Sequence, residues 1–243
     1  MSPEKQKSPV LYKRILLKLS GEALGGESES GISPDVLLRV AEEIRSVRDL
    51  GIELALVVGA GNIFRGREAD ALGIHRSTGD YMGMLGTVMN SIALGDFFDR
   101  NGVPSVVLTS INMNDIAEPY TIRSAREHLS RGKVVIAAGG TGHPHFTTDT
   151  AASLRAVELE ADILLKATRV DGVYTSDPEK DPSAERIEEI SHIEVMKKQL
   201  RVMDLTSVSL CMDNKIPIIV FNLFDSGAME RIARGERVGT LIS

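Results

Sequence analysis

Four short stretches of the chain gather residues suited to handling phosphate. Lys18-Leu19-Ser20-Gly21 sets a lysine inside an otherwise apolar run and follows it with a small-residue turn. A buried lysine is costly unless its ammonium reaches solvent or an anion, and the N–H groups of a Ser-Gly turn can face a phosphate. Gly59-Ala60-Gly61-Asn62 lets a backbone approach a ligand closely. Arg65, four residues past Gly61, could fork onto phosphate oxygens. Gly139-Gly140-Thr141-Gly142 opens a loop that ends in Thr147-Thr148-Asp149. Glycines and threonines beside a helix start form an anion cradle, because the first helical turn has free N–H groups and a partial positive charge. Asp149 has two readings: a residue favoured there by the helix dipole, or a carboxylate holding a lysine or a metal-bound water beside phosphates. Lys166-Ala167-Thr168 supplies a second lysine at the end of an apolar run. Further on, Tyr174 could lie against a nucleobase and Asp177 could accept from an amine or a sugar, although Asp-Gly and Asp-Pro are also plain turn formers. Taken singly, each stretch also has an ordinary structural explanation, such as a snorkelling lysine or a glycine turn.

The elements that must position these residues alternate in type. Apolar runs at 13–19, 52–58, 105–108, 133–138, 162–166 and 216–220 read as strands, with a further one at 238–242. Between them lie helical patterns. Ser33 and Pro34 mark a helix start, and Val36, Val40, Ile44, Val47 and Leu50 form one face that Gly51 ends. A long helix is expected over 80–100, with Met82, Leu85, Met89 and Ile92 on one side, and others over 121–131, 149–160, 193–200 and 205–214. Segments 25–31, 141–148 and 168–182 read as loops. Near-continuous apolar strands separated by helices imply a parallel or mixed sheet covered on both faces. Such sheets bind ligands beyond the carboxyl ends of their strands. The loops after Leu19, Val58, Ala138 and Lys166 are therefore the place for a site.

Composition removes several function classes. The chain has 243 residues, with 28 Lys+Arg against 34 Asp+Glu and a formal net charge of −6. Bulk attraction to nucleic acid or an anionic membrane is therefore not expected, and an anionic ligand must be held by a few local cations. Trp is absent and aromatics are 4%, too few for a stacking platform. The single cysteine, Cys211, excludes an internal disulfide framework and points to a reducing compartment. Residues 1–9 are polar and lack the apolar core of a signal peptide. No apolar run approaches the roughly 18 residues of a membrane span. A cytoplasmic protein is expected. The only Gly-Lys pair, Gly132-Lys133, lacks the upstream glycine of a Walker-type loop, and no G-x-G-x-x-G follows a strand. His143 and His145 hint at metal binding, but no third ligand type lies nearby.

The blocks are unspecific one by one; their order is not. K-L-S-G-E, G-A-G-N-I-F-R-G, G-D-Y-M-G-M-L, T-G-H-P-H-F-T-T-D and K-A-T-R-V-D-G-V-Y-x-x-D-P closely resemble, in this order, the bacterial UMP kinases of the amino acid kinase superfamily. The resemblance runs over about residues 12–242 and includes Val202-Met203-Asp204-Leu205. It implies an α/β fold, a three-layer αβα sandwich with a mainly parallel central sheet. Residues 1–9 would be a mobile tail and 10–243 one kinase domain, with the acceptor site mainly in its N-terminal half and the ATP site mainly in its C-terminal half. It implies phosphorylation of UMP to UDP by ATP. Lys18, Leu19, Ser20, Gly21, Gly61, Arg65, Thr168, Tyr174 and Asp177 would hold ATP. Ala60, through its backbone, and Asp80 would hold UMP, together with Thr141, Gly142, His143, Pro144, His145, Phe146, Thr147 and Thr148. Lys18, Lys166 and Arg65 would serve the transferred phosphoryl group and Asp149 would organise the lysines. Mg²⁺ would ride mainly on the ATP phosphates, with no dedicated metal ligands in the chain.

The resemblance also implies a homohexamer built from dimers and feedback inhibition by UTP. The stretch 95–100 is mostly neutral or acidic, which leaves GTP activation doubtful. Ala60 stands where many members have glycine, and His143 and His145 replace the usual Asn and Phe, which bears on nucleotide selectivity. Two rivals are a family phosphotransferase acting on a carboxylate or carbamate, and a non-catalytic nucleotide- or oxyanion-binding protein on the same fold.

Overall fold

The computed structural model describes residues 9–28, 30–64, 69, 71–176, 181, 183–200 and 202–243. Its centre is a set of strands apolar almost throughout, as strands covered on both faces must be. These are β1 (Arg14–Leu19), β2 (Glu53–Val58), β3 (Ser105–Thr109), β5 (Val134–Ala138), β6 (Ile163–Thr168) and β10 (Ile218–Asn222). Shorter pieces complete the sheet: β4 (Glu118–Pro119), β9 (Glu189–Ile190) and β11 (Thr240–Ile242). Among the described residues nine strands run in the order β4-β3-β5-β2-β1-β6-β10-β11-β9. Every pairing is parallel except β10 with β11. Two further strands, β7 (Val173–Tyr174) and β8 (Arg186–Ile187), form a separate antiparallel hairpin.

Alternate residues of each strand feed two cores. Ile15, Leu17 and Leu19 of β1 join one core with α1 (Gly21–Leu24), α2 (Pro34–Arg48), the end of α3 (Arg76–Arg100) and α8 (Ala228–Ala233). Leu16 joins the other, with α4 (Ile122–Ser130), α5 (Thr148–Glu158), α6 (His192–Lys197) and α7 (Leu205–Asp213). Full burial of a Leu or Ile side chain contributes about 1.5–3 kcal/mol, so these alternating positions carry the stability of the three layers. The expected αβα sandwich is the observed one. Its four loop-bearing strands β5, β2, β1 and β6 are consecutive in the sheet, so the loops after Ala138, Val58, Leu19 and Lys166 emerge side by side.

Local differences have local causes. The segment 25–31 contains a 3-10 turn, Gly26–Ser28, following the short α1. Ser33 stands at the start of α2 without a side-chain cap, and Pro34 sets the first turn. α3 begins at Arg76 rather than near 80, its first turn spanned by the Arg76–Asp80 ion pair at 3.0 Å. The apolar side read for α3 is its outer one: Leu85, Met89 and Ile92 are exposed. Small residues let the inner side lie close to the sheet, since a Cβ on Gly95 would come 3.0 Å from Val107 Cγ2. Among the described residues no helix is long and apolar enough to cross a membrane. The expected tail lies almost wholly outside the described residues, of which Pro9 is the first.

Candidate active site

β1 and β6 are parallel neighbours, and their register sets Lys18 opposite Lys166. Both lysines follow Leu16 and Leu164 by two positions, so both face the core that holds those leucines. Two ammonium groups side by side under a helix need a counter-charge, and the first turn of α5 brings it. Lys18 Nζ lies 2.9 Å from Asp149 Oδ1, and Lys166 Nζ donates to Asp149 Oδ2 at 2.9 Å. Lys166 also donates to the Val202 carbonyl. Lys18 is only 7% exposed. Burial by itself would raise the Asp149 pKa, but the flanking ammonium groups outweigh it and hold the carboxyl below the usual range. Burial, then repulsion from Lys18, lowers the Lys166 pKa, while Asp149 and Asp204 partly restore it.

The placement of Asp149 follows from how α5 starts. Thr147 caps the helix, its hydroxyl accepting from the N–H of Asp149 and Thr150. The same hydroxyl donates to Asp204 Oδ2 at 2.5 Å, and Thr150 donates to the same carboxylate at 3.0 Å. Asp204 in turn caps α7 by accepting from Ser207 N–H, and the Ser207 hydroxyl donates to the Asp149 carbonyl. The starts of α5 and α7 are thus stitched together around one carboxylate.

The turns alongside are held equally firmly. Gly139 N–H donates to the Thr87 hydroxyl at 2.9 Å, while Arg155 donates to Ser110 Oγ and the Gly140 carbonyl and stacks 3.9 Å above the Tyr120 ring. His145 has φ 72°, rare for a residue with a side chain. Its N–H donates to Asp80 Oδ2 at 2.8 Å, which ties the 141–148 loop to α3. Gly21 packs on the 60–62 turn so tightly that an added Cβ would sit 2.3 Å from Gly61 N. Only glycine fits there.

Two cavities open near this cluster, one lined by Thr147 and Thr148, the residues just before Asp149, and one by Lys166. The first, about 560 Å³, lies between α3, the 60–64 turn and the 140–148 loop. Its lining includes Ala60, Gly61, Asp80, Thr141, His143, Phe146, Thr147 and Thr148 of the residues expected from sequence. Gly142, Pro144 and His145 shape the loop without lining this space. His143 Nδ1 lies 3.2 Å from the Thr141 carbonyl and His145 Nε2 lies 3.4 Å from Ser77 Oγ of α3, so the two rings have separate partners. The second cavity, also about 560 Å³, is bounded by Lys166, Thr168 and Tyr174 on one side and Lys198, Gln199 and Leu200 on the other. Leu19 is a core residue, and Ser20 caps α1 by accepting from Ala23 N–H. Arg65 and Asp177 lie outside the described residues. Cys211 is buried, its thiol pushed up to about 11 by burial against a weaker opposing effect of Ser153, which makes it a poor nucleophile.

Several contributors were given no individual role from sequence, although Glu22, Gly79, Gly83, Met84 and Asp204 lie within the blocks that carry the resemblance. Arg76, Gly79, Gly83, Met84 and Thr87 line the first cavity from α3, and Glu22 lines it from α1. The i,i+4 spacing of Arg76 and Asp80 was a readable signal, as was Asp204 before the apolar start of α7. Arg155 gave none for its bonds to Ser110 and Gly140, which lie 45 and 15 residues away in sequence.

The sequence model of the amino acid kinase family matches residues 13–222. The chain is similar to the UMP kinase of Bacillus anthracis, with 42% identity, TM-score 0.93 and 96% of each chain covered. It is similar to the UMP kinase of Ureaplasma parvum, with 33% identity and TM-score 0.89 over 95% of this chain and 98% of the other. A third relative is the uridylate kinase of Archaeoglobus fulgidus, with 30% identity and TM-score 0.69 over 94% and 99%.

Proposed function

The chain belongs to the amino acid kinase family, and on that premise we propose that it transfers the γ-phosphoryl group of ATP to UMP, giving UDP and ADP. The observation that carries this reading is the buried Lys18–Asp149–Lys166 cluster, with Lys166 lining one cavity and Thr147 and Thr148, next to Asp149, lining another. The kinases it resembles support uridylate as the acceptor. The cavity beside Asp80 and the 141–148 loop takes UMP, and the cavity beside Thr168 and Tyr174 takes the adenosine part of ATP.

The chemistry needs little from the protein in proton transfer. The attacking atom is a phosphate oxygen, whose second pKa near 6 leaves it mostly ionised at neutral pH. The difficulty is repulsion: two unit charges 4 Å apart cost about 4 kcal/mol at an effective dielectric of 20, and several such pairs meet here. Lys18 and Lys166 neutralise the oxygens of the phosphoryl group in transit. Asp149 balances the charge of both ammonium groups and aims them. The start of α5 adds its partial positive charge beside Thr147 and Thr148, where the acceptor phosphate sits. Among the described residues no group of three or more His, Cys, Asp or Glu could hold a metal ion, and both Asp149 oxygens already face lysines. Mg²⁺ would be carried on the ATP phosphates and water, where it would screen charge.

ADP release coupled to an indicator reaction, with UMP, CMP, dUMP, aspartate and acetylglutamate as acceptors, tests the reading. Release with UMP is expected. Release only with a carboxylate acceptor would assign a different family activity, and none with any acceptor would leave a binding protein.

A further inference from the structure

α3 holds four glycines, although glycine is among the poorest helix formers. Packing accounts for three of them. A Cβ built on Gly79 would lie 2.6 Å from the Ala69 Cβ, on Gly86 2.8 Å from the Ala60 Cβ, and on Gly95 3.0 Å from Val107 Cγ2. Gly83 is different: a Cβ there would meet nothing within 4 Å. Yet Gly83 lines the first cavity, on the α3 face that also presents Asp80 and Thr87 to it. Spacings of three and four keep these positions on one side of a helix. Asp80 accepts from Arg76 and His145 N–H, and a carboxylate has lone pairs to spare for a sugar hydroxyl or base N–H. A ligand bonded to Asp80 lies alongside Gly83, less than one turn away.

We infer that Gly83 is a specificity-determining residue: the acceptor nucleotide packs directly on its Cα, and the missing side chain is room kept for the sugar and base. This deepens the proposed function and rests on it. A protein atom clashes with a side chain at the other three glycines, whereas here the ligand does.

The test is Gly83→Ala in the full-length protein, assayed with varied UMP and varied ATP, with its melting temperature and sedimentation measured alongside. Alanine is the better helix former, so the variant melts at or above the wild-type temperature. A methyl group forced into a close contact raises the KM for UMP by about tenfold or more, with the KM for ATP unchanged. Stability and acceptor affinity moving in opposite directions is a signature that a packing role does not give. Gly83→Ser is expected to raise the UMP KM likewise. Unchanged UMP KM in an active variant overturns the inference, and so does a change confined to sedimentation, which would assign the position to a subunit contact. A lowered melting temperature with both KM values raised would make Gly83 a packing residue and also overturn it. A wild-type protein inactive on UMP would overturn the functional reading itself, and that result comes from the wild-type arm alone.

Discussion

Asp149 separates two lysines that β-sheet register forces side by side, and much of the proposed chemistry depends on that one carboxylate. Asp149→Asn keeps its shape and removes its charge. The variant is expected to lose about a hundredfold or more in kcat, because the ammonium groups lose their aim and one tends to discharge. Unpairing buried charges costs about 3–5 kcal/mol, which calorimetry would register as a lower melting temperature. Wild-type turnover in this variant would contradict the organising role. The pH dependence has a definite sign. The folded Asp149 pKa is depressed, so its contribution to stability is present above the unfolded value of about 3.9 and is lost as pH falls through the folded value. The gap in melting temperature between wild type and Asp149→Asn should therefore narrow below about pH 4. A gap that stays constant into strong acid would rule this out. Lys166 is depressed below the ordinary 10.5. The folded state then binds fewer protons than the unfolded state as pH approaches that value, so this group's contribution to stability rises with pH there. Activity moves the other way, because discharged Lys166 no longer neutralises phosphate. kcat should fall on the alkaline side before an ordinary lysine titrates, and Lys166→Arg, which stays charged, should move that limb to higher pH. An alkaline limb unmoved by Lys166→Arg would exclude Lys166 as its source.

At the level of elements, the site is a set of strand ends and helix starts fixed to one another. Thr147 illustrates the coupling, since one hydroxyl caps α5 and also donates to the Asp204 carboxylate that caps α7. Thr147→Val removes both interactions. A lost cap costs about 1 kcal/mol, and kcat is expected to drop because Asp149 sits in the turn that loosens. A variant with lowered stability but unchanged kcat would show that the cap does not position the carboxylate. The junction between β1 and the 60–62 turn is tighter still. Gly21→Ala would set a Cβ 2.3 Å from backbone, not from a side chain able to swing away, and such overpacking costs about 1–3 kcal/mol. A drop in both melting temperature and kcat/KM is expected. This scale also explains what sequence disclosed. Lys18, Asp149 and Lys166 stood out because apolar runs and a threonine-rich helix start are local patterns. The adjacency of β5, β2, β1 and β6 was not local, and neither was the direct opposition of Lys18 and Lys166. Register is set by pairing between segments more than a hundred residues apart, so no local period contained it. Arg155 bonding Ser110 and Gly140 is another long-range contact of this kind.

For the molecule as a whole, the two faces of the sheet divide the labour. One core buries α1, α2, the end of α3 and α8. The other buries α4 to α7 and brings Asp149 over the lysines. An excess of acidic residues is compatible with the proposed binding of two polyanions because Lys18 and Lys166 are buried together, shielded from solvent screening. The outer side of α3 answers to neither core. Tyr81, Leu85, Met89 and Ile92 recur at helical spacing and are 46%, 44%, 58% and 39% exposed. Length and sequence period made this side readable, but which way it faced was not, because Gly95 on the opposite side is what lies against strand residue Val107. A contiguous apolar stripe on an exposed helix marks an association surface, and two-fold pairing of like faces is the commonest way to cover one. The chain is expected to self-associate through α3, the first step towards the hexamer that the sequence resemblance implies. Leu85→Glu combined with Met89→Glu puts charges into that seam without touching either core. Analytical ultracentrifugation should then show a smaller species than wild type, while circular dichroism stays unchanged. Unaltered sedimentation would place the subunit contact elsewhere. The same helix walls the cavity proposed for UMP on its other side, so, on that proposal, the dissociated variant is also expected to bind UMP more weakly, as α3 loses the partner that braces it.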